Sequence, residues 1–210
     1  MKKILIICHD YWHSGDVVEA GLDFLNTKYQ YDLTVLRDME NIDLKNWNFD
    51  DYQAIFVCKD NRNSYEDEGQ WLTDVVATKF TDYVSDGGRL VVLHAGIVAP
   101  TSSKIFKDLV GCAFEMHPDQ CPVEYIPVGD TPVINKVSTF IEHDEHYKIN
   151  IYTTDITVFL NSKSQFFDEV AGYYRQVGSG TVCVMSPGHN LPVWLNPNYQ
   201  TLIKNILEVS

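Results

Sequence analysis

The apolar residues of this chain fall into short blocks with two distinct periods. Ile4-Leu5-Ile6-Ile7-Cys8 is a continuous apolar run, which is how a strand covered on both faces reads. A helical stripe follows over residues 15–28, with Val17, Val18, Leu22, Phe24 and Leu25 on one side and Ser14 placed to cap its first turn. Residues 33–36 predict a second strand, and Ala54-Ile55-Phe56-Val57-Cys58 predicts a third. Trp71, Val75, Val76, Phe80, Tyr83 and Val84 then recur at helical spacing until Asp86-Gly87-Gly88, which supplies a residue able to take the left-handed conformation. Residues 89–93 are the fourth strand. Repeated strand–helix units imply parallel pairing with right-handed crossovers. The expected fold is therefore α/β: a flavodoxin-like three-layer sandwich, with a mostly parallel central sheet and helices on both faces.

The second half is less regular. Residues 102–109 predict a short helix, and residues 122–128 and 157–160 predict strands. Residues 173–177 and 181–185 flank Gly178-Ser179-Gly180, the pattern of a hairpin. Asn196-Pro197 opens a last helix through Leu202, Ile203, Ile206 and Leu207, with Pro197 where its missing N–H costs little. With no repeat and no low-complexity linker, residues 1–210 are expected to form one domain. A domain of that length buries roughly 70% of its unfolded surface and needs no staple.

Composition narrows the partner. A net charge of -13 argues against polyanions, whose phosphates are bound by clusters of Lys and Arg. The apolar runs are about one strand long, far short of the ~20 residues that span a bilayer. Met1-Lys2-Lys3 leads into a short apolar run that ends at Cys8-His9-Asp10 without a small-residue cleavage site. Among five cysteines, Cys8, Cys58 and Cys183 lie in predicted strands and read as reduced core thiols; Cys112 and Cys121 read as packing residues or as residues facing a site. The expectation is a cytosolic protein whose partner is a small molecule, neither nucleic acid nor membrane, with self-association into a homo-oligomer left open.

Seven histidines carry the candidate chemistry, because most of them follow predicted strands or lie in loops. Open α/β sheets bind ligands at the carboxyl ends of their strands, and imidazole serves both proton transfer and metal binding near neutral pH. His9 and His13, with Trp12 between them, follow the first strand. His94 follows the fourth, and His189 sits on the Ser186-Pro187-Gly188 turn after the last. His117 precedes Pro118, while His143 and His146 bracket Asp144-Glu145. His94 stands where a nucleophile elbow would sit, yet neither a Gly-x-Ser-x-Gly motif nor a cysteine is there, so covalent acyl transfer loses support. Glu142 through Tyr147 is the densest polar segment. One of its carboxylates could orient a histidine or exchange protons with it; the alternative is a solvated acidic loop. A divalent metal such as zinc could be held by any three of these histidines. The residues expected to act are His94, Asp144, Glu145 and His189. Those expected to hold the ligand are His9, Trp12, His13, His117, Tyr147 and Trp194.

An ordered set of motifs adds a family. Gly87-Gly88-Arg89-Leu90-Val91-Val92-Leu93-His94-Ala95-Gly96 is followed by Leu109-Val110-Gly111-Cys112-Ala113-Phe114-Glu115-Met116-His117-Pro118, Thr131-Pro132-Val133-Ile134, Asp144-Glu145-His146-Tyr147, and Gly178-Ser179-Gly180-Thr181-Val182 leading to Pro187-Gly188-His189. Together they resemble the ThuA-like (trehalose utilisation) proteins, which share the fold of class I glutamine amidotransferases. The resemblance implies a flavodoxin-like sheet that lacks the amidotransferase cysteine, with His94 near its place and a site at His94, His117, Asp144, Glu145, Tyr147 and His189. The chain departs from that pattern at Tyr173-Tyr174, where the family usually has Pro and Trp, and at Pro187. The expected function is an enzyme, a hydrolase or isomerase, that acts on trehalose or a related sugar by histidine and carboxylate acid–base chemistry. The alternatives are a non-catalytic sugar-binding or interaction module and, least supported, a cysteine-dependent amidotransferase-like hydrolase.

Overall fold

In the computed structural model, which describes residues 1–37, 42–62 and 70–209, the apolar blocks of the first half become the elements their periods imply. β1 (Lys3–Cys8) is buried from Ile4 onward and leads through His9 and Asp10 toward α1 (Gly15–Tyr29). Ser14 caps that helix by accepting from the Asp16 amide, and Gln30 closes it in the left-handed region. β2 (Asp32–Leu36) and β3 (Ala54–Cys58) follow. α2 (Asp74–Ser85) starts behind its Thr73 cap, so Trp71, placed in the helical stripe by its spacing, precedes the helix. Gly87 ends it at a φ of 111°, and β4 (Arg89–Leu93) begins at once.

The remaining elements are α3 (Lys104–Val110), β5 (Cys112–Met116), β6 (Cys121–Pro127), β7 (Phe140–Asp144), β8 (Lys148–Ile151), β9 (Thr157–Lys163), β10 (Asp168–Val177), β11 (Gly180–Met185), α4 (Leu191–Leu195) and α5 (Pro197–Ile206). Nine strands form one sheet in the order β2-β1-β3-β4-β11-β10-β9-β6-β7, and β5 pairs with β8 in a separate antiparallel ribbon. The large sheet is mixed, where the sequence suggests a mostly parallel one. Pairings from β2 to β11 are parallel, and those from β11 to β7 are antiparallel. The hairpin at Gly178-Ser179 is the physical reason: two residues cannot make the crossover of a dozen or more that a parallel return needs. The antiparallel strands β10, β9, β6 and β7 extend the sheet outward from it.

β5, β7 and β8 escape the hydrophobic pattern. β7 is an edge strand whose Phe140 and Asp144 are buried while Ile141 and His143 face solvent, so its polar composition hides it. The Glu142–Tyr147 segment is thus not a solvated loop: Asp144, Glu145, His146 and Tyr147 are all buried.

Alternation along the strands divides the core in two. Ile4, Ile6 and Cys8 pack with Val18 and Leu22 of α1 and Leu202 and Ile206 of α5, whereas Leu5 and Ile7 pack with Val76 and Phe80 of α2 and Phe106 of α3. All five cysteines are free and buried, Cys112 and Cys121 included. No helix among the described residues is long and apolar enough to cross a membrane. The carboxyl ends of β1, β3, β4 and β11 emerge at one edge of the sheet, and that edge carries His9, His13, His94 and His189.

Candidate active site

Each strand end contributes one fixed group. After β1, the buried Asp10 carboxylate accepts from the amides of Trp12 and His13, both at 2.9 Å, and from the His13 ring Nδ1 at 2.8 Å. Its other oxygen accepts from the Asp60 amide just past β3, so one side chain ties two strand ends together and sets the His13 ring. After β4, His94 adopts a positive φ of 44°, a strained conformation for a bulky residue and one that collects at functional sites. Its Nδ1 donates to the Ser186 carbonyl at 2.8 Å, beyond β11, which leaves Nε2 as the free nitrogen.

The turn after β11 is held from three sides. Asp144, at the end of β7, accepts from the amides of Gly188 and His189, both at 2.9 Å, and from the Tyr125 hydroxyl at 2.8 Å. Trp194 donates from its indole to the Gly188 carbonyl at 2.6 Å, and Tyr199 donates to the Pro187 carbonyl at 2.8 Å. Gly188 has a φ of 140°, and a Cβ there would stand 3.2 Å from the Cβ of His94. This packing fixes His189 on rigid backbone.

Glu145 is the centre. Its Oε2 lies 3.1 Å from His189 Nδ1, 3.4 Å from His94 Nε2 and 3.7 Å from His117 Nε2. Burial opposes its ionisation, but the imidazoles of His189 and His94 outweigh burial and hold the carboxyl well below the usual carboxylate range. Glu145 in turn raises the pKa of His189, against the effect of burial. His13 goes the other way: burial, with the His94 and His189 imidazoles beside it, lowers its pKa against the pull of Asp10. The four residues His13, His94, Glu145 and His189 bring one donor atom each to within 4.8 Å of one another, a set that could hold a metal ion.

Beside this cluster lies a cleft of about 190 Å³, lined by Trp12, His13, Asp60, Arg62, Val98, Phe114, His117, Glu145 and Tyr147. Tyr147 is buried and stacks on His94 with ring centroids 4.3 Å apart. Trp12 stands at the mouth, 40% exposed, with the Arg62 guanidinium over its ring. Burial raises the pKa of Asp60, which faces the same space.

The structure sorts the residues expected from sequence. His94, Glu145, His189 and His13 come together; His117 stays at the rim, and Tyr147 and Trp12 form walls. Asp144 is turned away from the cluster, with both oxygens occupied by the His189 turn and Tyr125. Trp194 is 1% exposed and packs in the core, so it offers no face to a ligand. His9 is exposed, and its ring accepts from the Gly15 amide at the start of α1. His146 is buried between the Ser162 and Ser164 hydroxyls, away from the cluster, and His143 is exposed. Asp10, Asp60, Arg62 and Phe114 belong to the site in addition to the expected residues. For Asp10 a signal existed: a carboxylate at the end of the first strand, three residues before His13.

Fold and site together define a mixed α/β protein with an imidazole-rich centre at its strand ends. Residues 3–208 match the sequence profile of the ThuA family, described as trehalose utilisation, and the chain belongs to that family. A ThuA-like protein from Parabacteroides merdae superposes with a TM-score of 0.81 at 16% identity, over 99% of this chain and 88% of that one. A ThuA-like protein from Bacteroides uniformis gives 0.72 at 17% identity, over 98% and 89%. A β-galactosidase from Rahnella sp. gives 0.69 at 11% identity, over 100% of this chain and 32% of that one. At such identities the likeness is one of fold. No curated protein matches the chain in sequence.

Proposed function

We propose that the protein is an enzyme of carbohydrate utilisation that binds a sugar-like small molecule, trehalose or a related derivative, in the cleft beside Glu145. The observation that carries this reading is the convergence of three imidazoles, His94 buried and His13 and His189 half-buried, on one buried carboxylate at a cleft walled by aromatic faces. A sugar ring offers an apolar C–H face to Trp12 or Phe114 and hydroxyls to Asp60, His117 and Glu145. Glu145, held ionised by His189 and His94, is suited to orient those two rings, so that His94 Nε2 takes a proton from water or a sugar hydroxyl. His189, whose pKa Glu145 raises, is suited to return one to a leaving or carbonyl oxygen; hydrolysis and isomerisation both use such a pair. The strand order β2-β1-β3-β4-β11 supports the finer assignment to the flavodoxin-like, class I glutamine amidotransferase-like group. His94 then stands near where that group's cysteine would be. Five free cysteines support the cytosol as the working compartment, and a net charge of -13 supports a partner that is not nucleic acid.

The test is incubation with trehalose and a panel of mono- and disaccharides, followed by chromatography, with calorimetry for binding. The expected result is consumption of at least one sugar, with losses of ~100-fold or more in Glu145→Gln and His94→Ala. The melting temperature should stay within a few degrees. A sugar bound but left unchanged would favour the non-catalytic binding module, and turnover surviving both substitutions would remove these residues from the reaction. A protein that neither binds nor converts any sugar would overturn the reading.

A further inference from the structure

We infer that His13 Nε2, His94 Nε2, His189 Nδ1 and Glu145 Oε2 form the binding site of one divalent transition-metal ion of the zinc class. This rests on the same cluster as the reading above but on coordination geometry and not on turnover; while the ion is bound, Glu145 Oε2 and His189 Nδ1 serve as ligands and do not themselves exchange protons. Three independent observations converge. First, His13 Nε2, His94 Nε2 and His189 Nδ1 are all buried without an aligned hydrogen bond, the last two meeting only the shared Glu145 carboxylate, and His94 as a whole is 2% exposed. Buried polar atoms are normally satisfied, so three such nitrogens around one carboxylate call for a ligand among them.

Second, the ring spacings match a shared ion. A metal about 2.0–2.1 Å from a ring nitrogen lies about 3.2 Å from that ring's centroid, so three imidazoles on one tetrahedral ion have centroids about 5.2 Å apart. The observed separations are 5.0 Å for His13–His94, 5.2 Å for His13–His189 and 5.5 Å for His94–His189. The distances from Glu145 Oε2 to His189 Nδ1 and His94 Nε2, 3.1 and 3.4 Å, are close to the tetrahedral ligand–ligand edge of about 3.4 Å.

Third, two of the rings are already oriented in the way metal-bound histidines are. His13 donates from its far nitrogen to the Asp10 carboxylate and His94 to the Ser186 carbonyl, which fixes each Nε2 lone pair toward the common point. Three imidazoles and one carboxylate suit zinc and its first-row neighbours; calcium and magnesium prefer all-oxygen sets. Expansion to five-coordination would admit an oxygen from the cleft.

The test uses the full chain, stripped by dialysis against a chelator and titrated with Zn²⁺ in a calorimeter and with Co²⁺ in a spectrophotometer. One equivalent of Zn²⁺ should bind and raise the melting temperature, and Co²⁺ should give visible d–d bands that Zn²⁺ displaces. His13→Ala and Glu145→Gln should each weaken binding at least ~10-fold, and Asp10→Asn, which touches no metal, ~10- to 100-fold. His146→Gln, buried elsewhere, should leave stoichiometry and affinity unchanged. Absence of Zn²⁺ binding by the wild-type chain, or binding indifferent to His13→Ala and Glu145→Gln, overturns the inference. Metal bound at these residues without sugar turnover keeps this inference and sinks the enzymatic reading. Turnover by a chain that binds no metal does the reverse.

Discussion

Replacing Asp144 with Asn separates a structural carboxylate from a catalytic one. Asp144 is fully buried and accepts three hydrogen bonds, from the Gly188 amide, the His189 amide and the Tyr125 hydroxyl. Burial, with Asp144 beside it, pushes the Tyr125 phenol well above its ordinary pKa, so the hydroxyl remains the donor. An asparagine of the same shape keeps one acceptor and turns an NH₂ toward groups that themselves donate. One buried donor is then left unpaired, which costs about 1–3 kcal/mol, and a charge-assisted bond is lost, worth about 1.5–3 kcal/mol. Asp144→Asn should therefore destabilise by about 2.5–6 kcal/mol, and Tyr125→Phe by about 1–2 kcal/mol. The double variant should lose less than the sum, because both changes break the same network. Urea denaturation at pH 7 measures all three. A companion readout follows from the turn: Asp144 positions the His189 backbone, so ligand or metal affinity should fall together with stability. If Asp144→Asn unfolds at the wild-type urea midpoint while abolishing turnover, the positioning role is refuted and Asp144 returns as an acid or base.

Two further expectations concern groups outside the cluster. Burial lowers the His146 pKa to about 4, against the pull of Asp144 and Asp168, so its folded value lies below the ordinary one of 6.5. The unfolded chain then binds the extra proton first, and this contribution is complete above pH 6.5 and lost as pH falls toward 4. With one pKa unit worth 1.36 kcal/mol, the loss from pH 7 to pH 5 is about 2 kcal/mol. His146→Gln should flatten the pH dependence of denaturation by that amount, and an unchanged slope would contradict it. The two tryptophans should part company: Trp194→Ala, in the core and bonded to Gly188, should cost about 3–5 kcal/mol, while Trp12→Ala should stay within about 0.5 kcal/mol yet weaken sugar binding measured by calorimetry.

What the sequence discloses and what it hides follow from one physical distinction. Continuous apolar runs such as Ile4 to Cys8 and helical stripes such as that of α1 report burial over many residues, and their elements lie where the pattern places them. His94 and His189 are legible for the same reason, since each follows a run that can only be a strand. Side-chain direction at a single position is different. Trp194 lies five residues beyond His189 and reads as a neighbouring aromatic face, yet its indole points back to the Gly188 carbonyl and its ring is buried. His13 and His117 look alike as loop histidines. Asp10 pins the first against the cluster, while the second, its Nδ1 bonded to the adjacent Pro118 carbonyl, stays at the rim.

Asp144 and Glu145 are the sharpest case, because two adjacent carboxylates are equivalent until the phase of their strand is known. Successive residues of a strand project to opposite faces. β7 was hidden by the polar run Glu142-His143-Asp144, and with it the phase that sends Asp144 to the amides of the His189 turn and Glu145 to the imidazoles. Once β7 is known to end at Asp144, one carboxylate must support and the other must face the cleft. Asp144→Asn and Glu145→Gln should then fail differently, the first in the stability of the metal-free chain and the second in chemistry and metal binding.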